Sequence, residues 1–202
     1  MAELALPLYV LFLVVAFGLR SLLMRRRAGT SGFHGISGDR GSLEWLAGVA
    51  FVAALVLGLL APALAATHLV DPVAALDGVV GHGVGIALTA IGIVLTLAAQ
   101  VAMGASWRIG VDEEERTQLV MTGPFAIVRN PFFAGLLPTG LGLALLAPNW
   151  VALLGLVTLL AAVELQVRLV EDPFLRRTHG TTFLRYASQV GRFFPSTGRL
   201  GG

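Results

Sequence analysis

The chain has 202 residues, of which 56% are hydrophobic and only 13% charged, with a mean hydropathy of +0.82. These values exclude an ordinary water-soluble globule and point to an integral membrane protein about one domain long. The absence of cysteine also excludes disulfide staples, thiolate nucleophiles and cysteine-ligated metals.

In chain order, residues 4–23 form a first apolar stretch long enough to cross a hydrocarbon core, and Arg25, Arg26 and Arg27 stop it. A cleaved signal peptide begins with basic residues. Here the arginines follow the apolar run, which favours a retained anchor. Further spans are predicted at 43–66, 83–103 and 150–170, with a short one at 132–147. The tight turn "APNW" between the last two predicts an antiparallel helical hairpin with Trp150 at the membrane interface. The expected fold is therefore an all-α integral membrane protein of five transmembrane helices in a single domain. Three spans occupy 1–103, and 104–202 form a core of the C-terminal hairpin and a polar tail.

Charge sets the expected orientation. With the N-terminus outside, the inside segments are 24–42, 104–131 and 171 onward. All fourteen basic residues are arginines, and they fall in those segments or in the last turn of a helix reaching them. The outside loop "ATHLVDPVAALDG" carries aspartates and no arginine, which is the positive-inside pattern. The pI near 9.9 thus reports orientation and a secondary attraction to anionic headgroups, and nucleic acid is not an expected partner. No internal repeat of solenoid length is evident. Small residues recur in the third span and leave a homodimer open.

Polar sequence concentrates in 104–131 and 171–202, which flank the final hairpin and are expected on one membrane face. "WRIGV" and "QLVMT" bracket an acidic turn and predict a short β-hairpin. The run Asp112 to Glu115 reads as a solvated turn, because no histidine interleaves it. His34, His68, His82 and His179 fall on different loops, so no metal site is expected. Gly123-Pro124 breaks the chain, and Pro131 biases Asn130 away from helix while starting the next one. Asn130 then stands at a helix N-terminus, where it either caps the helix beside an interfacial arginine or faces an anionic ligand group.

On the last span Glu164, Arg168 and Glu171 share a helix face, with Asp172 next. Glu164 lies about two turns inside the membrane end, where an ionisable side chain is costly and is either paired or functional. A Glu164–Arg168 ion pair and a catalytic role both stay open. Pro173 is expected to end that helix or begin another, with Asp172 as a cap. Phe183, Leu184 and Tyr186 would make the tail amphipathic and place it on the headgroups.

The stretch "LVMTGPFAIVRNPFFAG", an apolar hairpin, and "RLVEDPFLRRTHGTTFLRYASQVGRFFP" together resemble the isoprenylcysteine carboxyl methyltransferase-like membrane enzymes, which are related to the phospholipid methyltransferases. The resemblance covers about residues 107–197. It implies S-adenosylmethionine-dependent methyl transfer to a lipophilic carboxylate, amine or hydroxyl, with the cofactor site at the cytosolic face. Family cofactor contacts carry over to Thr117, Gln118, Leu119, Val120, Phe125, Asn130, Pro131, Phe132 and Phe133. Glu171 matches the first acid of the family's Glu-Glu pair, and Arg168 its substrate-positioning arginine. Glu164 or Glu171 would help deprotonate an amine.

The sequence also departs from that pattern. Asn130 stands where the family has histidine and Asp172 where it has the second glutamate. Phe125, Phe133 and Phe183 replace tyrosines. Losing the imidazole is chemically tolerable, because in-line displacement at a sulfonium methyl needs mainly alignment and a dry site. Gly140-Leu141-Gly142 matches a family Gly-x-Gly motif but reads better as close helix packing. Two rival functions remain. A membrane NADPH-dependent reductase of the sterol-reductase type lacks a visible glycine-rich dinucleotide fingerprint here. A non-enzymatic transport or scaffold protein is disfavoured by sparse intramembrane charge.

Overall fold

In hydrocarbon every backbone N–H and C=O must be satisfied within its own segment, so the apolar runs become helices. A computed structural model describes residues 1–28, 36, 38–104 and 118–201. Helix α1 (Ala2–Leu13) continues through a π-helical turn (Val14–Leu19) into α2 (Arg20–Ala28). Then come α3 (Leu43–Ala66), α4 (Val79–Met103), a 3₁₀ turn (Gly123–Ala126), α5 (Pro131–Leu146) and α6 (Trp150–Leu165). A second π-helical turn (Gln166–Glu171) leads into α7 (Asp172–Gln189). The stretches Ala2–Arg26, Leu43–Ala66, Val79–Met103 and the long helix starting at Trp150 are each long and apolar enough to cross a membrane, and Pro131–Leu146 is a shorter apolar helix. The expected all-α membrane architecture is what forms.

One local expectation changes. No strand forms among the described residues, only an isolated parallel bridge between Val128 and Gly191. The first arm of the expected β-hairpin and its acidic turn lie outside the described residues, and 118–121 is not a strand. Pro173 begins a helix, the second of its two expected roles, and does not break the path of the chain. It falls in the first turn of α7, directly after the π-helical turn, where the hydrogen-bond ladder is already interrupted and no N–H is needed. The break comes instead at Gly180, whose φ of 52° and ψ of −127° suit glycine.

The last two spans are not each other's main packing partners. α5 packs far more extensively on α4, and α6 on α3, than α5 and α6 pack on each other. The cause is a seam of glycine and threonine. A Cβ on Gly135 would lie 2.5 Å from the Thr96 nitrogen, one on Gly92 2.5 Å from the Thr139 nitrogen, and one on Gly142 2.6 Å from the Thr89 nitrogen. The two backbones therefore touch, as small residues permit in a membrane. Thr89, Thr96 and Thr139 donate their hydroxyls to carbonyls of their own helices at 2.8–2.9 Å, so the seam stays satisfied without water. The small residues of the third span are thus spent within the chain, and their recurrence no longer argues for a homodimer. Gly142 is a packing residue, while Gly140 faces Leu159 of α6.

Polar side chains pin both ends of the bundle. Asn149 accepts from the Ala152 N–H at 3.0 Å, capping α6, and donates to the Ala61 carbonyl at 3.0 Å. At the other end Gln100 donates to the Ala16 carbonyl at 2.6 Å, inside the first π-helical turn, and Arg20 donates to the Gly104 carbonyl. That arginine-bearing end is where α5 begins.

Candidate functional site

Pro131 fixes the start of α5, and the polar loop before it is bound to the chain's C-terminal tail. The Arg129 N–H donates to the Gly191 carbonyl at 2.7 Å, and the Asn130 N–H to the Arg192 carbonyl at 3.0 Å. The Tyr186 hydroxyl donates to the Phe125 carbonyl at 2.6 Å. Leu119 packs against a small core of Phe183, Tyr186 and Ala187, with Val190 and Leu200 at its edge. The tail is therefore a wall of this region, held by backbone as much as by side chains.

Arg129 is the rivet. Its side chain is only 2% exposed. Nη1 donates to the carbonyls of Ala187 at 3.0 Å and Val190 at 2.8 Å, and Nη2 to that of Gly198 at 3.2 Å. Asp172 Oδ2 lies 3.6 Å from Arg129 Nη2 and 3.0 Å from Arg192 Nη2, so one carboxylate serves two guanidinium groups. Both Nε atoms are buried without a partner among the described residues. Burial lowers the Arg129 pKa and Asp172 opposes that shift, and an arginine so placed remains a cation at neutral pH. Burial also pushes the Tyr186 hydroxyl up to about 12, with Arg129 pulling it the other way.

The second π-helical turn explains how Asp172 gets there. One residue added to a helical ladder rotates everything beyond it by about 100°. Glu164 precedes that turn and Arg168 lies within it, and the two form an ion pair with each other on the exposed face. Asp172 follows it and points inward to the arginines.

The other candidates distribute as follows. Asn130 is buried at the N-cap position of α5 but does not cap it. Its Nδ2 leans toward the Arg192 carbonyl at 3.4 Å, and no described residue donates to its Oδ1. Side chains therefore leave the first N–H groups of α5 unclaimed. Pro131 is buried as the first helical residue. The rings of Phe132 and Phe133 lie in an edge-to-face chain, Phe12–Phe17–Phe132–Phe133–Phe51, with centroids 5.5–6.3 Å apart. They belong to the bundle core. Leu119, Val120, Phe125 and Glu171 are half-buried and Gln118 is exposed. Thr117 lies outside the described residues.

Asp172, adjacent to Glu171, reaches Arg129, adjacent to Asn130, so the two polar stretches meet at one end of the bundle. Sequence reasoning missed the parts of Arg129, Arg192 and Tyr186 in this junction. Arg129 read as an interfacial arginine, although its place between Val128 and a proline-started helix was a signal of constraint.

The phospholipid methyltransferase family matches residues 80–182, half of the chain. The chain belongs to the phospholipid methyltransferase family. No curated protein matches it. As a member of this family the protein is a membrane methyltransferase. The family match runs from α4 into α7 and contains Asn130, Glu171 and Asp172. It leaves out α1, α2, α3 and the tail residues Gly191 and Arg192.

Proposed function

We propose that this family member transfers a methyl group from S-adenosylmethionine to a lipophilic carboxylate, amine or hydroxyl at the cytosolic face of a membrane, with its N-terminus on the opposite side. The observation that carries the reading is the closure of 118–130 onto the tail around the start of α5, through Arg129, Asp172 and Arg192. The arginine distribution supports the orientation.

The residues present suit that cofactor. When bound, it supplies an electrophilic methyl group on a sulfonium. The unclaimed N–H groups in the first turn of α5 favour a carboxylate, since a helix N-terminus carries partial positive charge. Asn130 Oδ1 and the Glu171 carboxylate are acceptors for an ammonium or a ribose hydroxyl. Phe125 and the segment from Gln118 to Val120 line the adenosine side, and the family resemblance adds Thr117. Pro131, Phe132 and Phe133 contribute through backbone, because both rings are engaged in the core. Arg168 orients an anionic substrate head, and Glu164 takes the proton from an amine. Their ion pair keeps the two side by side at the lipid-facing edge of the site.

Calorimetric titration of the detergent-solubilised protein with S-adenosylhomocysteine tests this. Binding is expected, and Glu171→Ala should weaken it about tenfold or more by removing a charged hydrogen-bond acceptor. No heat of binding, or unchanged affinity in the variant, would sink the assignment. A melting temperature raised by NADPH and not by S-adenosylhomocysteine would install the reductase reading in its place.

A further inference from the structure

The start of α5 offers donors and an acceptor side by side. Pro131 has no N–H, and Ala134 already donates to the Asn130 carbonyl at 2.9 Å, so the N–H groups of Phe132 and Phe133 are the donors the helix leaves over. Asn130, only 8% exposed, supplies the acceptor. An amide has one donor end and one acceptor end, and its neighbours decide which end a ligand meets. The Arg192 carbonyl can only accept. It therefore takes the Nδ2 end at 3.4 Å, along with the Asn130 N–H at 3.0 Å, and leaves Oδ1 for a donor. The N–H groups suit a carboxylate and Oδ1 suits an ammonium, so together they are complementary to the zwitterionic end of an amino acid.

What fixes the Arg192 carbonyl lies one residue from Asn130. Arg129 gathers the tail carbonyls of Ala187 and Val190 with Nη1 and that of Gly198 with Nη2, and its own N–H donates to the Gly191 carbonyl. Gly191 permits the turn that follows, because a Cβ there would lie 2.0 Å from the Phe194 carbonyl oxygen. Resting on the cofactor proposed above, we infer that Arg129 is a positioning residue for the amino-acid end of that cofactor: by fixing 187–198 it holds the Arg192 carbonyl against the Asn130 amide and so keeps Oδ1 turned to the ligand. The guanidinium itself is spent on tail carbonyls and Asp172, and it acts on the cofactor through Asn130. The adenosine side has its own support. The Tyr186 hydroxyl donates to the Phe125 carbonyl at 2.6 Å and Leu119 packs on Phe183 and Tyr186, all within α7 and ahead of the gathered loop.

The probes are S-adenosylhomocysteine and methylthioadenosine, which keeps the adenosine and the sulfur but lacks the carboxylate and the ammonium. Both are titrated calorimetrically into the detergent-solubilised full-length protein, and the wild type should prefer S-adenosylhomocysteine. Arg129→Lys keeps a cation beside Asp172 but loses the planar fork. Gly191→Ala disturbs the tail and leaves the donors of Arg129 in place. Each variant should weaken S-adenosylhomocysteine about tenfold and methylthioadenosine by no more than about twofold. A merely structural role would weaken both compounds alike. Equal loss for the two compounds, or an unchanged preference in either variant while Glu171→Ala still weakens binding, would overturn this inference alone. Wild-type protein that binds neither compound would overturn the methyltransferase reading with it. Hydrogen exchange on the wild type needs no folded variant. S-adenosylhomocysteine should protect 190–200 together with the first turn of α5, and methylthioadenosine should protect neither. Protection of that turn without the tail would also count against Arg129 as a positioning residue.

Discussion

Helix α5 is held in two unlike ways. Along its length it lies on α4 through the Gly85–Thr89–Gly92–Thr96 and Gly135–Thr139–Gly142 seam, where contact is backbone on backbone and every threonine hydroxyl is satisfied within its own helix. At its first turn it is held by Arg129, Asp172, Arg192 and carbonyls from the tail. The seam works by dispersion and small size, so it tolerates no added atom but has nothing to titrate. The clasp works by directed charge and hydrogen bonds, so it depends on a tail more than fifty residues away in the chain. The comparison assigns separate tasks: the seam decides where α5 stands, and the clasp decides what surrounds its N-terminus.

The largest expected effect breaks the seam. Gly135→Leu should abolish recovery of folded protein, and Gly135→Ala alone should cost about 3 kcal/mol or more, because its Cβ meets backbone that cannot yield. Gly140→Ala is the internal contrast, since its Cβ meets only the flexible ends of Leu159 and Leu156. Size-exclusion profiles and melting temperatures of the three variants measure the difference.

Breaking the clasp comes next. Asp172→Ala leaves two buried guanidinium groups unpaired and should cost about 3–5 kcal/mol. Hydrogen exchange should rise in 190–200 while the amides of α4 keep their protection. Equal loss of protection in both regions would erase the distinction between seam and clasp.

A smaller effect sharpens the comparison through pH. The folded state holds the Tyr186 proton up to about 12, above the ordinary tyrosine value, so the unfolded chain releases it first. The contribution to stability is therefore complete below about pH 10. It declines as pH rises toward 12, by at most about 2 kcal/mol. Tyr186→Phe should flatten that decline at a cost of about 1 kcal/mol at neutral pH, from the lost bond to Phe125. The seam offers no group that titrates in this window.

The smallest stability effect falls outside both regions. Arg168→Gln removes an exposed ion pair and should change stability by no more than about 0.5 kcal/mol. Under the proposed function it should still lower turnover about tenfold or more, with S-adenosylhomocysteine affinity unchanged. Full turnover in that variant would leave the Glu164–Arg168 pair as a surface contact and nothing more.

Much of this was legible in one dimension. Hydrophobic length located the spans within a few residues, and α3 fell on the predicted 43–66. Arg129-Asn130-Pro131 was recognised as an unusual threshold, and the two polar stretches were expected to converge. The hydrogen bonding of Arg129 was not legible, because its acceptors are the carbonyls of Ala187, Val190 and Gly198, and a carbonyl carries no residue identity. Phe132 and Phe133 read equally well as cofactor walls or as core. Phe17 and Phe51, which claim their rings, come from two other helices.

The sequence by itself determined the helical membrane class, the start of α5 at Pro131, and membership in a methyltransferase family. Each of these follows from local hydropathy, local backbone restriction or ordered motifs. Only the tertiary structure decided that α5 pairs with α4, that the last helix runs through Pro173 to Gly180, and that Asp172 turns toward Arg129 while Arg168 stays outside. Those outcomes hang on close approach between distant segments and on a one-residue change of helical register, and periodicity along a single chain encodes neither.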